Sequence, residues 1–248
     1  MKHPLYLVFA LVLLAGCAPT LAPHTPYLPI VRSQGEAEAH LVSSPTGREL
    51  ELQLGYQATS RLVLHTALLR HERPSTGKSF RSADLGLGYY WPLKDGRWRL
   101  GLHGGLAYGR GKSGGGFCFD CDGPNSTFRT QYVYAYVQPT ALITQDDFTL
   151  GLGVRLGQAH YYQMRQYRTD LRSDTILTRT LNHDGRNATF LQPMMQASYR
   201  VSPWLALSAG GGVQFFMGKR RDYLDDMNPF IGQVGLHFLV TRRPTPSP

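Results

Sequence analysis

The residues able to do chemistry are few, and their spacing rarely joins them. Cys118-Phe119-Asp120-Cys121 is a close cysteine pair in a glycine-rich stretch between Gly114 and Gly123. That spacing suits a disulfide staple in an oxidising compartment, half of a metal site, or a redox dithiol. A structural metal needs four ligands, and neither a second CxxC nor an adjacent histidine pair supplies the rest. A redox pair belongs at a helix start in a thioredoxin-like setting, which the surrounding glycines do not offer. A disulfide between Cys118 and Cys121 is the expectation, with no metal and no cofactor. Gly109-Arg110-Gly111-Lys112-Ser113 ends like a phosphate loop, but Leu106 stands where the first glycine is required and no helical pattern follows. His160, Ser173, His183 and Asp184 share one polar segment. They are residue types that an enzyme embedded in a membrane barrel would use, yet nothing in their spacing fixes a geometry. No catalytic residue is expected, and the protein is expected not to be an enzyme.

The elements around these residues are strands. Charged residues make up 17% of the chain, aromatics 11%, and there are 27 glycines. Mean hydropathy is −0.26, too polar for a bundle of membrane helices. Period-two alternation recurs along the chain. Leu50, Leu52 and Leu54 alternate with Glu49, Glu51 and Gln53, and Leu85, Leu87, Tyr89 and Trp91 alternate with Asp84, Gly86 and Gly88. Ten such segments fall near 35–43, 48–57, 61–70, 80–92, 97–110, 128–143, 148–163, 188–200, 204–218 and 229–241. Most reach the roughly nine to eleven residues a tilted membrane strand needs.

Short connections near Thr59-Ser60, 93–96, 145–147 and 201–203 alternate with longer ones near 71–79, 111–127, 164–187 and 219–228. Membrane barrels show that pattern, with short periplasmic turns and long outer loops. The spacing predicts an all-β, antiparallel, up-and-down transmembrane barrel, ten strands being favoured over eight or twelve. Trp91, Trp98 and Trp204 adjoin the short turns and would form an interface girdle, although Trp204 is out of phase with Leu205 and Leu207. The polar face would point Glu49, Glu51, Arg99, His103, Arg155, Gln196, Arg200 and His237 into the lumen, where opposed charges would pair and fill a narrow barrel. Tyr132, Tyr134 and Tyr136 alternate with Val133, Ala135 and Val137, and the pattern leaves open which set faces lipid.

The ends carry addresses. Lys2 and the apolar run Leu5 to Leu14 read as a secretory signal, too short to span a bilayer. Leu14-Ala15-Gly16-Cys17 resembles the lipobox of bacterial lipoproteins, which implies cleavage after residue 16 and acylation of Cys17. Ala18 to Pro29 holds four prolines and reads as an extended tether. The expected organisation is a signal over 1–16, acylated cysteine and tether over 17–34, barrel over 35–241 and tail over 242–248. Gln233 to Val240 resembles the C-terminal recognition signal of outer-membrane barrels, although Thr241–Pro248 follows it. Tyr27-Leu28-Pro29, Gly35-Glu36, Leu52-Gln53-Leu54-Gly55-Tyr56 and Gly86-Leu87-Gly88-Tyr89 together resemble outer-membrane β-barrel lipoproteins of the Bacteroidota, and more distantly the small outer-membrane protein A-like barrels. No Asp follows Cys17, so delivery to the cell outer membrane is the expectation, and an even strand count returns both termini to the periplasmic side, where the acylated Cys17 would sit. A peptidoglycan-binding domain like that of the latter group is not expected.

The formal charge of +9 is scattered, with no patch of the kind nucleic acid binding requires. Expected partners are outer-membrane lipids, the barrel-assembly and lipoprotein-sorting machinery, and an envelope or extracellular partner, but no nucleic acid. A structural or surface-interaction role is expected. Its rivals are a narrow pore or small-ligand carrier, a lipid-modifying enzyme, and a soluble periplasmic lipoprotein with a lipocalin-like apolar interior.

Overall fold

The computed structural model describes residues 24–44, 49–73, 78–93, 97–114, 125–172, 175–217 and 230–240. Its strands are β1 (Ala37–Ser43), β2 (Glu49–Gln57), β3 (Leu62–Arg73), β4 (Lys78–Pro92), β5 (Trp98–Gly114) and β6 (Asn125–Gln145). They continue as β7 (Phe148–Arg172), β8 (Thr175–Asn182), β9 (Arg186–Ser202), β10 (Leu205–Val213), β11 (Phe215–Met217) and β12 (Phe230–Val240). Each strand from β1 to β6 pairs with its successor, then β7 with β9, β9 with β10, β10 with β12, and β12 with β1. Ten antiparallel strands thus close a ring. Outside the ring count, β11 prolongs β10 beside β9, and β8 pairs with the far end of β7.

Closure leaves the ring with no free edge, and alternation sorts its two faces. Outward positions are apolar and bare: Leu85 and Leu106 are each 69% exposed. Inward positions are polar and covered: Glu51, Gln53, His103, Arg155 and Gln192 are all buried. This inverts the arrangement of a water-soluble protein, and a surrounding bilayer is what makes it stable. It also overturns the lipocalin-like alternative, which needs the apolar face inside. Trp91, Trp98 and Trp204 stand exposed at the short-turn rim beside Phe148 and Tyr199. Trp204 lies in the turn with Pro203, not on the strand, which removes its phase conflict with Leu205.

The three tyrosines of β6 face inward: Tyr132, Tyr134 and Tyr136 are buried, whereas Val133 and Val137 are exposed. Rings of that size fit because inward glycines on adjacent strands leave holes for them. A methyl group at Gly109 would overlap the Tyr132 ring, and one at Gly157 would overlap Phe190. Alternating small and large residues fill the taper of a narrow barrel in this way.

Two features depart from the sequence-based expectation. The stretch 164–187 is not one long loop, because β7 runs on to Arg172 and returns as β8, with Arg165 opposite Asn182 and Arg172 opposite Thr175. Neither arm carries the apolar alternation by which the other strands are recognised. Residues 24–34, expected as a tether outside the barrel, instead begin inside it. His24, Tyr27, Leu28, Ile30 and Val31 are at most 4% exposed. From Arg32 the segment emerges at the short-turn rim and reverses through Gly35, at φ 83°, into β1.

Candidate functional site

The lumen is where the charged side chains converge, and the entering segment organises them. A chain segment buried without strand partners carries amide groups that must be satisfied. Pro26 and Pro29 reduce the problem, having no N–H to satisfy. Side chains from the wall meet several of the others. Glu51 accepts from the Thr25 amide at 3.1 Å and the Thr25 hydroxyl at 2.6 Å, and lies 3.0 Å from His24 Nδ1. Glu38 accepts from the Ile30 amide at 3.1 Å and from the Tyr27 hydroxyl. Several carbonyls are taken as well. Arg155 Nη1 donates to His24 O at 3.1 Å, Gln138 Nε2 to Tyr27 O at 2.8 Å, and Arg99 Nη1 to Val31 O at 2.6 Å.

Arg155 is the hub. Its guanidinium sits 4.1 Å over the Tyr136 ring, its Nε donates to Gln138 Oε1 at 3.0 Å, and its Nη1 lies 3.7 Å from Asp84. Asp84 also accepts from the Tyr136 hydroxyl at 2.9 Å. On the opposite wall His40 and His237 stack at 3.6 Å, with His40 bonded to Gln53 and Ser208 and His237 lying 3.7 Å from Glu38. His103 meets the Tyr90 hydroxyl at 2.6 Å, and Gln233 donates to Gln196 at 2.9 Å. Above the segment an aromatic cluster of Tyr132, Tyr134, Tyr161, Phe128 and Phe190 packs against Met164.

Of the residues assigned to the lumen from sequence, Glu51, His103, Arg155, Gln196 and His237 are buried inside it. Arg99 and Arg200 lie half-buried on the same face towards the short-turn rim. Glu49 sits at the far rim, 3.2 Å from His71. The pairing differs from expectation: Glu51 engages the entering segment and neither Arg99 nor the facing strands. Glu38, His40, His65 and Asp84 belong to the network and went unassigned. Glu38 and His40 alternate with Ala37, Ala39 and Leu41, and that alternation is the sequence signal that marks them as inward.

The polar residues at the far rim do not converge. His160 Nδ1 meets Asn187 Oδ1 at 2.8 Å, His183 Nε2 meets Gln166 Oε1 at 3.2 Å, and Asp184 accepts from the Met164 amide at 2.6 Å. Partial burial, then the neighbouring Arg186, lowers the pKa of His183. Cys17, Cys118, Cys121 and Ser173 lie outside the described residues, and among the described residues no cluster of metal-ligating side chains occurs.

These features define a class: the chain has the fold of an integral outer-membrane β-barrel. No protein-family profile matches it, and no curated protein sequence matches it significantly. Among solved structures it is similar to the outer membrane protease OmpT of Escherichia coli, at 13% identity over 88% of this chain and 100% of that one, with a TM-score of 0.54. The translocator domain of the Neisseria meningitidis autotransporter NalP also matches, at 11% identity over 82% of this chain and 86% of that one, TM-score 0.40. So does the N-terminal β-barrel domain of Pseudomonas aeruginosa OprF, at 11% identity over 84% and 98%, TM-score 0.33.

Proposed function

We propose that the protein is a non-conducting, non-enzymatic outer-membrane barrel that holds its long strand extensions outside the cell as an interaction surface. The observation carrying this is the occupied lumen, where residues 24–31 fill the bore and the wall side chains bond their backbone. A pore or carrier needs a continuous path or an empty cavity on the axis. The strands β5, β6 and β7, at 17, 21 and 25 residues, run well beyond the roughly nine to eleven that a bilayer requires. OmpT is a protease, but in this chain His160, His183 and Asp184 each engage a separate partner instead of one another. The purified full chain in planar bilayers is expected to remain silent, and a steady unitary conductance would replace this proposal with a pore.

The second part of the proposal is a lipid on Cys17, held in the periplasmic leaflet. Cys17 lies seven positions before His24, a reach of at most about 25 Å. That is enough to return from mid-lumen to the short-turn rim, the periplasmic one in this fold. Cells fed radiolabelled palmitate should label the protein, and Cys17→Ser should abolish the label. A labelled serine variant would remove the acylation from the proposal.

A further inference from the structure

On the outer wall, towards the far rim, one side of the barrel turns cationic directly above its apolar band. The outward positions of β3 run Leu64, Thr66, Leu68 and then Arg70, and those of β4 run Leu87, Leu85, Ala83 and then Arg81. On β5 they run Leu106, Tyr108, Arg110 and Lys112, and on β6 Val133, Gln131 and Arg129. The stacked pair Tyr108–Tyr162, with centroids 6.3 Å apart, marks the interface just below.

The register sets like charges face to face: Arg70 opposite Arg81, Arg81 opposite Arg110, and Lys112 opposite Arg129. Directly opposed like charges destabilise a sheet. Glu72 relieves one end, accepting from Arg70 at 2.8 Å and Arg81 at 3.1 Å. Among the described residues no carboxylate lies within 4.0 Å of Arg110, Lys112 or Arg129. An open cleft of about 420 Å³ lies between these side chains. Among the described residues, the outward positions of β1, β9 and β11 near the same rim are neutral, namely Ser43, Asn187, Thr189, Phe215 and Met217. Long cations that only lift their charge out of the bilayer would be spread around the whole circumference.

We propose that this face binds the phosphorylated head of the outer-leaflet glycolipid, the lipid A part of lipopolysaccharide, with Arg81, Arg110 and Lys112 around a phosphate. Its acyl chains would lie against Leu85, Leu106 and Tyr108 below. Guanidinium forks match phosphate oxygens in pairs, and an anion between opposed cations removes their repulsion. A zwitterionic phospholipid brings its own ammonium and leaves the excess positive charge unmatched. A soluble polyanion has no acyl chains to place on the adjoining apolar wall.

The full chain would be folded in uncharged detergent and titrated with diphosphorylated lipid A, dephosphorylated lipid A and phosphatidylethanolamine, with bound lipid read by native mass spectrometry. The expected result is retention of diphosphorylated lipid A about tenfold above the other two, decreasing as salt is raised. The Arg81→Gln/Arg110→Gln/Lys112→Gln variant should lose that preference and still shift on heating in gels. The single variants Arg110→Gln and Lys112→Gln serve if the triple does not fold. Equal retention of dephosphorylated lipid A or of phosphatidylethanolamine, or an unchanged preference in the folded variants, overturns the proposal.

Discussion

Deleting residues 24–31 is expected to turn a silent barrel into a conducting one. The deletion leaves all ten ring strands and their ladder intact, so the wall should still form. It removes Tyr27, Leu28, Ile30 and Val31 from the bore, each worth about 1.5–3 kcal/mol of burial when fully covered. It also releases Glu38, Glu51, Gln138 and Arg155 from their bonds to the segment. Water then replaces the segment, and polar walls facing water at this diameter make a narrow channel. Planar bilayers should record unitary events from the deletion variant and none from the full chain, while the denaturation midpoint falls. A synthetic peptide of residues 24–34 added on the short-turn side should restore silence. If the deletion variant stays silent while folded, the aromatic cluster around Tyr132 and Phe190 closes the bore by itself, and the segment is not the plug.

The second large effect is expected at Arg155. Its side chain is 1% exposed, and its removal leaves Asp84, Gln138 Oε1 and His24 O without their cationic partner. Breaking one side of a buried ion pair costs about 3–5 kcal/mol, so Arg155→Met should lower the urea midpoint of the barrel in lipid vesicles sharply. Arg155→Lys keeps the charge but cannot fork between Gln138 and His24, and should fall between the two. Trp91, Trp98 and Trp204 stand exposed at the rim and report departure from the membrane by fluorescence. Adding Asp84→Asn to Arg155→Met should recover part of the loss, since the pair is then removed together. Additive losses would mean that Asp84 and Arg155 act independently, and the 3.7 Å approach between them would contribute nothing.

What the sequence discloses depends on whether a residue faces lipid. Where it does, the bilayer demands an apolar side chain at every second position, and Leu85, Leu87, Leu152 and Val154 show the wall clearly. Strand count, closure and the two faces follow from that one demand. Beyond the bilayer the demand lapses, so β8 and the far half of β7 carry no such pattern. Adjacent tyrosines hide the bulge between β6 and β7, where Tyr161 turns inward and Tyr162 outward. The lumen is harder still, because its polar residues satisfy one another across distances that no local pattern records. The bonded positions Arg155 and His24 are 131 residues apart. Proline content made residues 24–31 look like a spacer, although the same lack of amide donors suits them to burial. The apolar run Tyr27–Val31, lying outside any strand, was the available sign that something must cover it.

The entering segment also constrains the order in which the barrel is built. It leaves the export machinery ahead of every strand, yet the ring around it closes only when Val240 pairs with Ala37. Its nearest contacts are short in sequence: Ile30 to Glu38 spans 8 residues, Tyr27 to Glu38 spans 11 and His24 to Glu51 spans 27. Such contacts close early because their loops are cheap in entropy. Those to Gln138 and Arg155 span 111 and 131 residues and close late. The segment can therefore serve as a mandrel, held first by β1 and β2, around which the later strands are wound before the seam seals.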